Sequence, residues 1–132
     1  MKFLLISNSN LAEEMYHAMQ NFYTKPDIDF ITLSNRTSND FAIKLKTYLA
    51  NTSEEILILC DCYGSTAFNE ATYLLQELNL LQRSTIISGM NLPITFKLYG
   101  LKDSWDIHSI KALYQNPESG NHGVLVYEQR VG

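Results

Sequence analysis

Ile56-Leu57-Ile58-Leu59-Cys60-Asp61-Cys62-Tyr63-Gly64-Ser65-Thr66 is the stretch that decides the fold. Its apolar run shows no polar alternation. That predicts a short strand over 55–60 buried on both faces, as in a parallel sheet. The run stops at a carboxylate, Asp61, and passes through a loop in which Gly64 allows a tight turn. Ser65 or Thr66 then caps a helix. This helix is expected to run to about Leu80, with Phe68, Ala71, Leu74, Leu75 and Leu78 on one face.

Outward from this unit the same alternation repeats. Residues 2–7, Lys2-Phe3-Leu4-Leu5-Ile6-Ser7, read as a first buried strand. Asn10 is expected to cap a helix to about Tyr23, with Leu11, Met15, Ala18, Met19 and Phe22 inward. Pro26 breaks the chain, and 28–33 reads as the second strand. Ser38 or Asn39 opens a helix whose inner face is Phe41, Leu45, Tyr48 and Leu49. Residues 84–88 form the fourth strand, ended by Gly89, and Pro93 suits the first turn of a helix to about Tyr99. Another helix starts at Asp103 or Ser104 and stops before Pro117, and 123–127 reads as a last strand. Four rounds of strand and helix predict an α/β three-layer sandwich on a parallel sheet, one domain over 1–132. Such sheets bind ligands outside the carboxyl ends of the strands, where strand order reverses. The polar turns after the first and third strands are therefore the places to look for chemistry.

Composition narrows the function classes. With 132 residues, 45% of them hydrophobic and 18% charged, the chain has the make-up of an ordinary folded domain. Fourteen acids against ten bases give a net charge of −4, with no basic stripe for a nucleic acid. The longest apolar runs fall well short of the roughly 20 residues that cross a bilayer. The first run passes straight into Ser7-Asn8-Ser9-Asn10, unlike a signal peptide, so a cytoplasmic protein without direct membrane insertion is expected. Cys60 and Cys62 are too close for an easy disulfide, and two thiols alone do not make a zinc site. No metal and no cofactor is expected.

Three segments could carry chemistry. Ser7, Asn8, Ser9 and Asn10 precede a helix whose free N–H groups favour an anion; the same residue types are also the leading helix caps. Asp61 sits half-buried at a strand end. It orients a neighbouring group across the switch point, or it accepts N–H bonds within its own loop. Gly64, Ser65 and Thr66 follow, and either hydroxyl could face a bound oxyanion. Ser88-Gly89-Met90-Asn91-Leu92-Pro93 is either a shaped turn or a wall of the same pocket.

Together these segments resemble the enzyme IIA domain of the mannose/fructose/sorbose family in the phosphoenolpyruvate-dependent sugar phosphotransferase system. The family's Ser-His-Gly-Asn-Leu-Ala-Glu aligns with Ser7-Asn8-Ser9-Asn10-Leu11-Ala12-Glu13. Its Asp, two residues, Gly-Gly-Ser/Thr-Pro-Phe-Asn aligns with Asp61 to Asn69, and its Gly-Val-Asn-Leu/Ile-Pro with Gly89-Met90-Asn91-Leu92-Pro93. The likeness runs from Met1 to about Leu101 and fades beyond. It implies a flavodoxin-like fold with four parallel strands, and a homodimer in which the C-terminal strand is exchanged. It also implies a phosphoryl carrier that takes phosphate from the histidine phosphocarrier protein and passes it to enzyme IIB. In the family a first-turn histidine is phosphorylated and the aspartate orients it.

The sequence departs from that pattern at its centre. Asn8 stands at the phosphoacceptor position, Ser9 and Ser65 replace glycines, and Ala67 replaces proline. Phosphoryl transfer needs a nucleophile with a free lone pair, which imidazole supplies near neutral pH. A carboxamide nitrogen has none to give and can only make hydrogen bonds. The Asn8 amide is expected to bond to Asp61. His17 lies about 13 Å along the first helix at 1.5 Å per residue, too far to substitute. His108 and His122 fall in the poorly matching tail. Three functions follow: an impaired carrier acting by binding or regulation, a working phosphocarrier, or a small-anion module built on Ser7, Ser9, Gly64, Ser65, Thr66 and Asn91.

Overall fold

The computed structural model describes residues 1–115 and 125–126. The elements are β1 (Lys2–Ser7), α1 (Leu11–Gln20), β2 (Asp29–Thr32), α2 (Ser38–Ala50), β3 (Ile56–Cys60), α3 (Thr66–Glu77), a 3₁₀ turn (Leu81–Arg83), β4 (Ser84–Ser88), α4 (Leu92–Leu101), α5 (Ile107–Gln115) and β5 (Leu125–Val126). The sheet order is β2-β1-β3-β4-β5. β1 to β4 are mutually parallel, and β5 runs antiparallel to β4 within the chain. The expected α/β sandwich is therefore present, with four parallel strands at its centre.

The solid apolar runs are explained by the two faces of this sheet. Phe3, Leu5, Leu57, Leu59 and Ile87 pack on one side with residues of α1, α4 and α5. Leu4, Ile6, Ile56, Ile58 and Ile86 pack on the other with α2 and α3. Every residue of β3 is buried. The chain leaves β1 to build β2, then returns to place β3 on β1's other side, with Ile6 opposite Cys60. Strand order reverses at that point, so the residues just past Ile6 and Cys60 share the crevice.

Several element ends differ from expectation. α1 stops at Gln20, and its buried residues are Ala12, Met15 and Met19. Leu11 and Phe22 are exposed; Phe22 instead meets Phe96 edge-on at 4.5 Å. Asn10 makes no side-chain cap. α2 opens at Ser38 as expected, and Thr37 before it accepts the Asp40 N–H. β2 spans Asp29–Thr32, one residue shorter at each end than expected, and Asn35 follows at φ 60°. α5 begins at Ile107, not at Asp103 or Ser104. The Asp103 carboxylate is taken by the Lys102 ammonium at 3.1 Å, and Asp106 accepts the Ser109 N–H instead. Of the last strand expected over 123–127, Leu125–Val126 is a strand and the other residues lie outside those described.

Candidate functional site

β1 delivers Asn8, and β3 delivers Asp61, to adjacent places at the carboxyl edge of the sheet. The Asn8 backbone N–H donates to Asp61 Oδ2 at 2.9 Å. Asp61 Oδ1 accepts from the Cys62 N–H at 2.8 Å, the Ser65 hydroxyl at 2.9 Å and the Cys60 thiol at 3.1 Å. Burial pushes the Asp61 carboxyl up, but these four donors outweigh it and hold it below the usual carboxylate range. Asp61 is therefore an anion, and its Oδ2 carries one donor against three on Oδ1.

The Asn8 side chain does not reach Asp61, contrary to expectation. Its Oδ1 crosses the crevice and accepts the Ala67 N–H of α3 at 2.8 Å. The reason lies in the start of α3, whose first N–H groups have no partner within the helix. Ser65, not Thr66, is the cap residue and takes the Phe68 N–H. The Asn8 carboxamide oxygen takes the Ala67 N–H beside it. Two side chains, one local and one from another strand, thus satisfy the helix start.

The other singled-out residues have local duties. The buried Ser7 hydroxyl accepts the Ala12 N–H at 3.0 Å and donates to the Ser9 carbonyl. The Ser9 hydroxyl accepts the Leu11 N–H at 3.3 Å. These two, not Asn10, cap α1. Thr66 is the first residue of α3 and half-buried. Asn91 caps α4 by accepting the Ile94 N–H at 2.9 Å, and donates to the Gly89 carbonyl. The structure ties Asn91 to its own segment and gives it no bond to Asn8 or Asp61. The Cys60 thiol is buried and its pKa is driven far up, so it is a hydrogen-bond donor and not a nucleophile. His17 and His108 are exposed on α1 and α5; His122 lies outside the described residues.

Gly64 holds φ at +83°, with nothing within 4 Å of an added Cβ. Gly64→Ala therefore meets no clash and costs only the left-handed backbone, about 1 kcal/mol. Urea unfolding should show a lower midpoint with an unchanged slope. An unchanged midpoint would mean the loop relaxes out of this conformation.

Sequence reasoning missed two participants, the Ala67 N–H and the Cys60 thiol. A backbone donor leaves no mark in a sequence. The thiol was read as packing because it ends an apolar run. Among the described residues, no three His, Cys, Asp or Glu side chains gather where a metal could bind. No helix among them is long and apolar enough to cross a membrane.

The family model for the PTS system fructose IIA component matches residues 2–115. The chain belongs to this family, and the likeness extends past Leu101 through α5. No curated sequence matches it. Among solved structures it is similar to phosphotransferase system component EIIA from Streptococcus agalactiae, at 20% identity and TM-score 0.73, covering 83% of this chain and 85% of that one. It is also similar to the mannose/sorbose specific IIA subunit from Enterococcus faecalis, at 19% identity and TM-score 0.71, covering 84% and 83%. A third is the PTS IIA protein associated with the fucose utilization operon of Streptococcus pneumoniae, at 22% identity and TM-score 0.60, covering 79% and 77%.

Proposed function

We propose that this IIA component of the sugar phosphotransferase system is impaired as a phosphoryl carrier and acts through binding. The Asn8–Ala67 hydrogen bond supports this reading. The family motif has proline at the position of Ala67, and proline has no N–H to donate. Ala67 supplies one, and Asn8 accepts it. The two departures from the pattern are thus acceptor and donor of a single bond. A nucleophile has been exchanged for a helix cap worth about 1 kcal/mol. The exchange favours a site rebuilt as a fixed surface over one that has merely decayed.

The anion-module alternative fits less well. An oxyanion needs open N–H groups at the helix starts. Leu11 and Ala12 in α1, and Ala67 and Phe68 in α3, already donate to Ser9, Ser7, Asn8 and Ser65. The working-carrier alternative lacks a histidine beside Asp61 among the described residues, since His17 and His108 are exposed on other elements.

In this reading the chain works in the cytoplasm as a homodimer; the expected exchange of the C-terminal strand between subunits is not part of it, because Leu125–Val126 pairs with β4 of its own chain. It docks on enzyme IIB or on a regulator without passing phosphate. Incubation with phosphoenolpyruvate, enzyme I and the histidine phosphocarrier protein should leave the chain unlabelled. A phosphohistidine found on any residue overturns the proposal.

A further inference from the structure

Between β1 and β3 the crevice keeps a donor and an acceptor side by side once its internal bonds are made. Asn8 Oδ1 is spent on the Ala67 N–H. Nδ2 of the same carboxamide is left with two N–H groups and no hydrogen-bond partner among the described residues. Asp61 Oδ1 has three donors, whereas Oδ2 has only the Asn8 backbone N–H and keeps a lone pair free. Because that N–H belongs to Asn8 itself, Nδ2 lies within one short side chain of Oδ2. Asp61 forms no ion pair among the described residues. Tyr63, two residues past Asp61 in the same loop, is 58% exposed, and its ring is propped on buried Phe68 with centroids 4.6 Å apart.

An open donor beside an open acceptor selects the chemistry of what binds. An oxyanion meets the Asn8 N–H groups but is repelled by the Asp61 carboxylate. A guanidinium or ammonium pairs with Asp61 but has no acceptor for Asn8. A trans peptide unit turns its N–H and C=O to opposite sides and cannot serve both groups from one side. Each hydroxyl of a vicinal pair is donor and acceptor at once, so one donates to Oδ2 while its neighbour accepts from Nδ2. The C–H groups behind such hydroxyls match the electron-rich face of an aromatic ring, which Tyr63 supplies. The geometry points to the Asn8–Asp61 crevice as a binding site for a neutral saccharide or polyol, held through vicinal hydroxyls, with Tyr63 against its carbon face. The inference rests on the reading of this crevice as a binding site, and names the class of its ligand.

The test is an NMR titration of the whole chain with methyl α-D-mannopyranoside, whose ring carries vicinal hydroxyls and no charge. Shifts should centre on the Asn8 Nδ2 protons and the Tyr63 amide and saturate in the millimolar range. The per-O-methyl ether of the same sugar keeps the carbon face but loses every hydroxyl donor, and should bind roughly tenfold more weakly or not at all. Asn8→Asp keeps an oxygen for the Ala67 N–H and removes the Nδ2 donors. Tyr63→Ala removes only an exposed ring, so the test stands even if the first variant fails to fold. Each should weaken binding roughly tenfold. Shifts that are absent, centred elsewhere, or unchanged by the ether or by either variant overturn the proposal. So do stronger shifts at the same groups with methylguanidinium, inorganic phosphate or a blocked dipeptide, which would give the crevice to a cation, an anion or a protein backbone. The titration is separate from phosphoryl transfer. An unlabelled chain that ignores the sugar loses this inference alone, whereas a phosphorylated chain loses the impaired-carrier reading whatever the sugar does.

Discussion

Asn8→His turns the chain into a phosphoryl acceptor: incubated with phosphoenolpyruvate, enzyme I and the histidine phosphocarrier protein, it takes up label from a background of none. The partner such a histidine needs is already in place. Asp61 is ionised, held by Cys60, Cys62 and Ser65 through Oδ1, and its Oδ2 carries only the Asn8 backbone N–H. A carboxylate oxygen has two lone pairs, so Oδ2 can take an imidazole N–H as well. That bond fixes which ring nitrogen is left basic. The substitution has a structural cost, because the Ala67 N–H loses the oxygen that now accepts it. An uncapped helix start costs about 1 kcal/mol. Ala67→Pro removes that donor and is tolerated in the first turn of a helix. The two changes together should therefore be more stable than the sum of the singles predicts, by about 1 kcal/mol in a double-mutant cycle. If Asn8→His stays unlabelled even with Ala67→Pro, the surroundings of the site have changed more than one side chain can repair.

The pairing of Asn8 with Ala67 also marks what was legible in the sequence. β1, β3 and β4 were plain because both faces of each strand are buried, and a run such as Ile56 to Cys60 has few other uses. The polar turns after β1 and β3 marked the crevice, and the family resemblance implied that the residues at positions 8 and 61 meet there. What the sequence leaves open is which atom meets which. Asparagine offers an oxygen and a nitrogen from its side chain as well as a backbone N–H. Only the helix start 59 residues away decides that the side-chain oxygen goes to Ala67 and the backbone N–H to Asp61. The same holds at α1, where four consecutive cap-forming residues competed. Asn10 has the favoured residue type, yet its backbone at φ −74°, ψ 6° is already near-helical, so Ser7 and Ser9 do the capping. On α1 the inward face holds Met15 and Met19 as expected, but Ala12 is buried where Leu11 was expected. Leu11 and Ala12 both fit an apolar stripe, and close packing on β1 selected the smaller.

Asp61→Ala should be the most destabilising single change at the site, and its effect should depend on pH. The substitution strands four donors at once: two backbone N–H groups, the Ser65 hydroxyl and the buried Cys60 thiol. Hydrogen bonds to a charged acceptor contribute about 1.5–3 kcal/mol each when desolvated. This carboxylate is only half-buried, and water can replace part of what is lost at Asn8 and Cys62. The expected cost is therefore about 2–3 kcal/mol near neutral pH, read from chemical denaturation. The sign with pH follows from the depressed carboxyl pKa. A group that ionises more easily folded than unfolded adds stability above its unfolded value, near 3.9 for aspartate, and loses it as pH falls through the folded value. The gap between wild type and Asp61→Ala should thus hold steady from pH 7 to about 5 and close below about 4. Asp61→Asn keeps an acceptor oxygen without the charge, so it should retain part of the stability and show the same flattened acid limb. A gap that stays constant down to pH 3 would mean that the cost of the variant does not come from losing the ionised carboxylate. In that case the carboxylate shapes the crevice without holding it together.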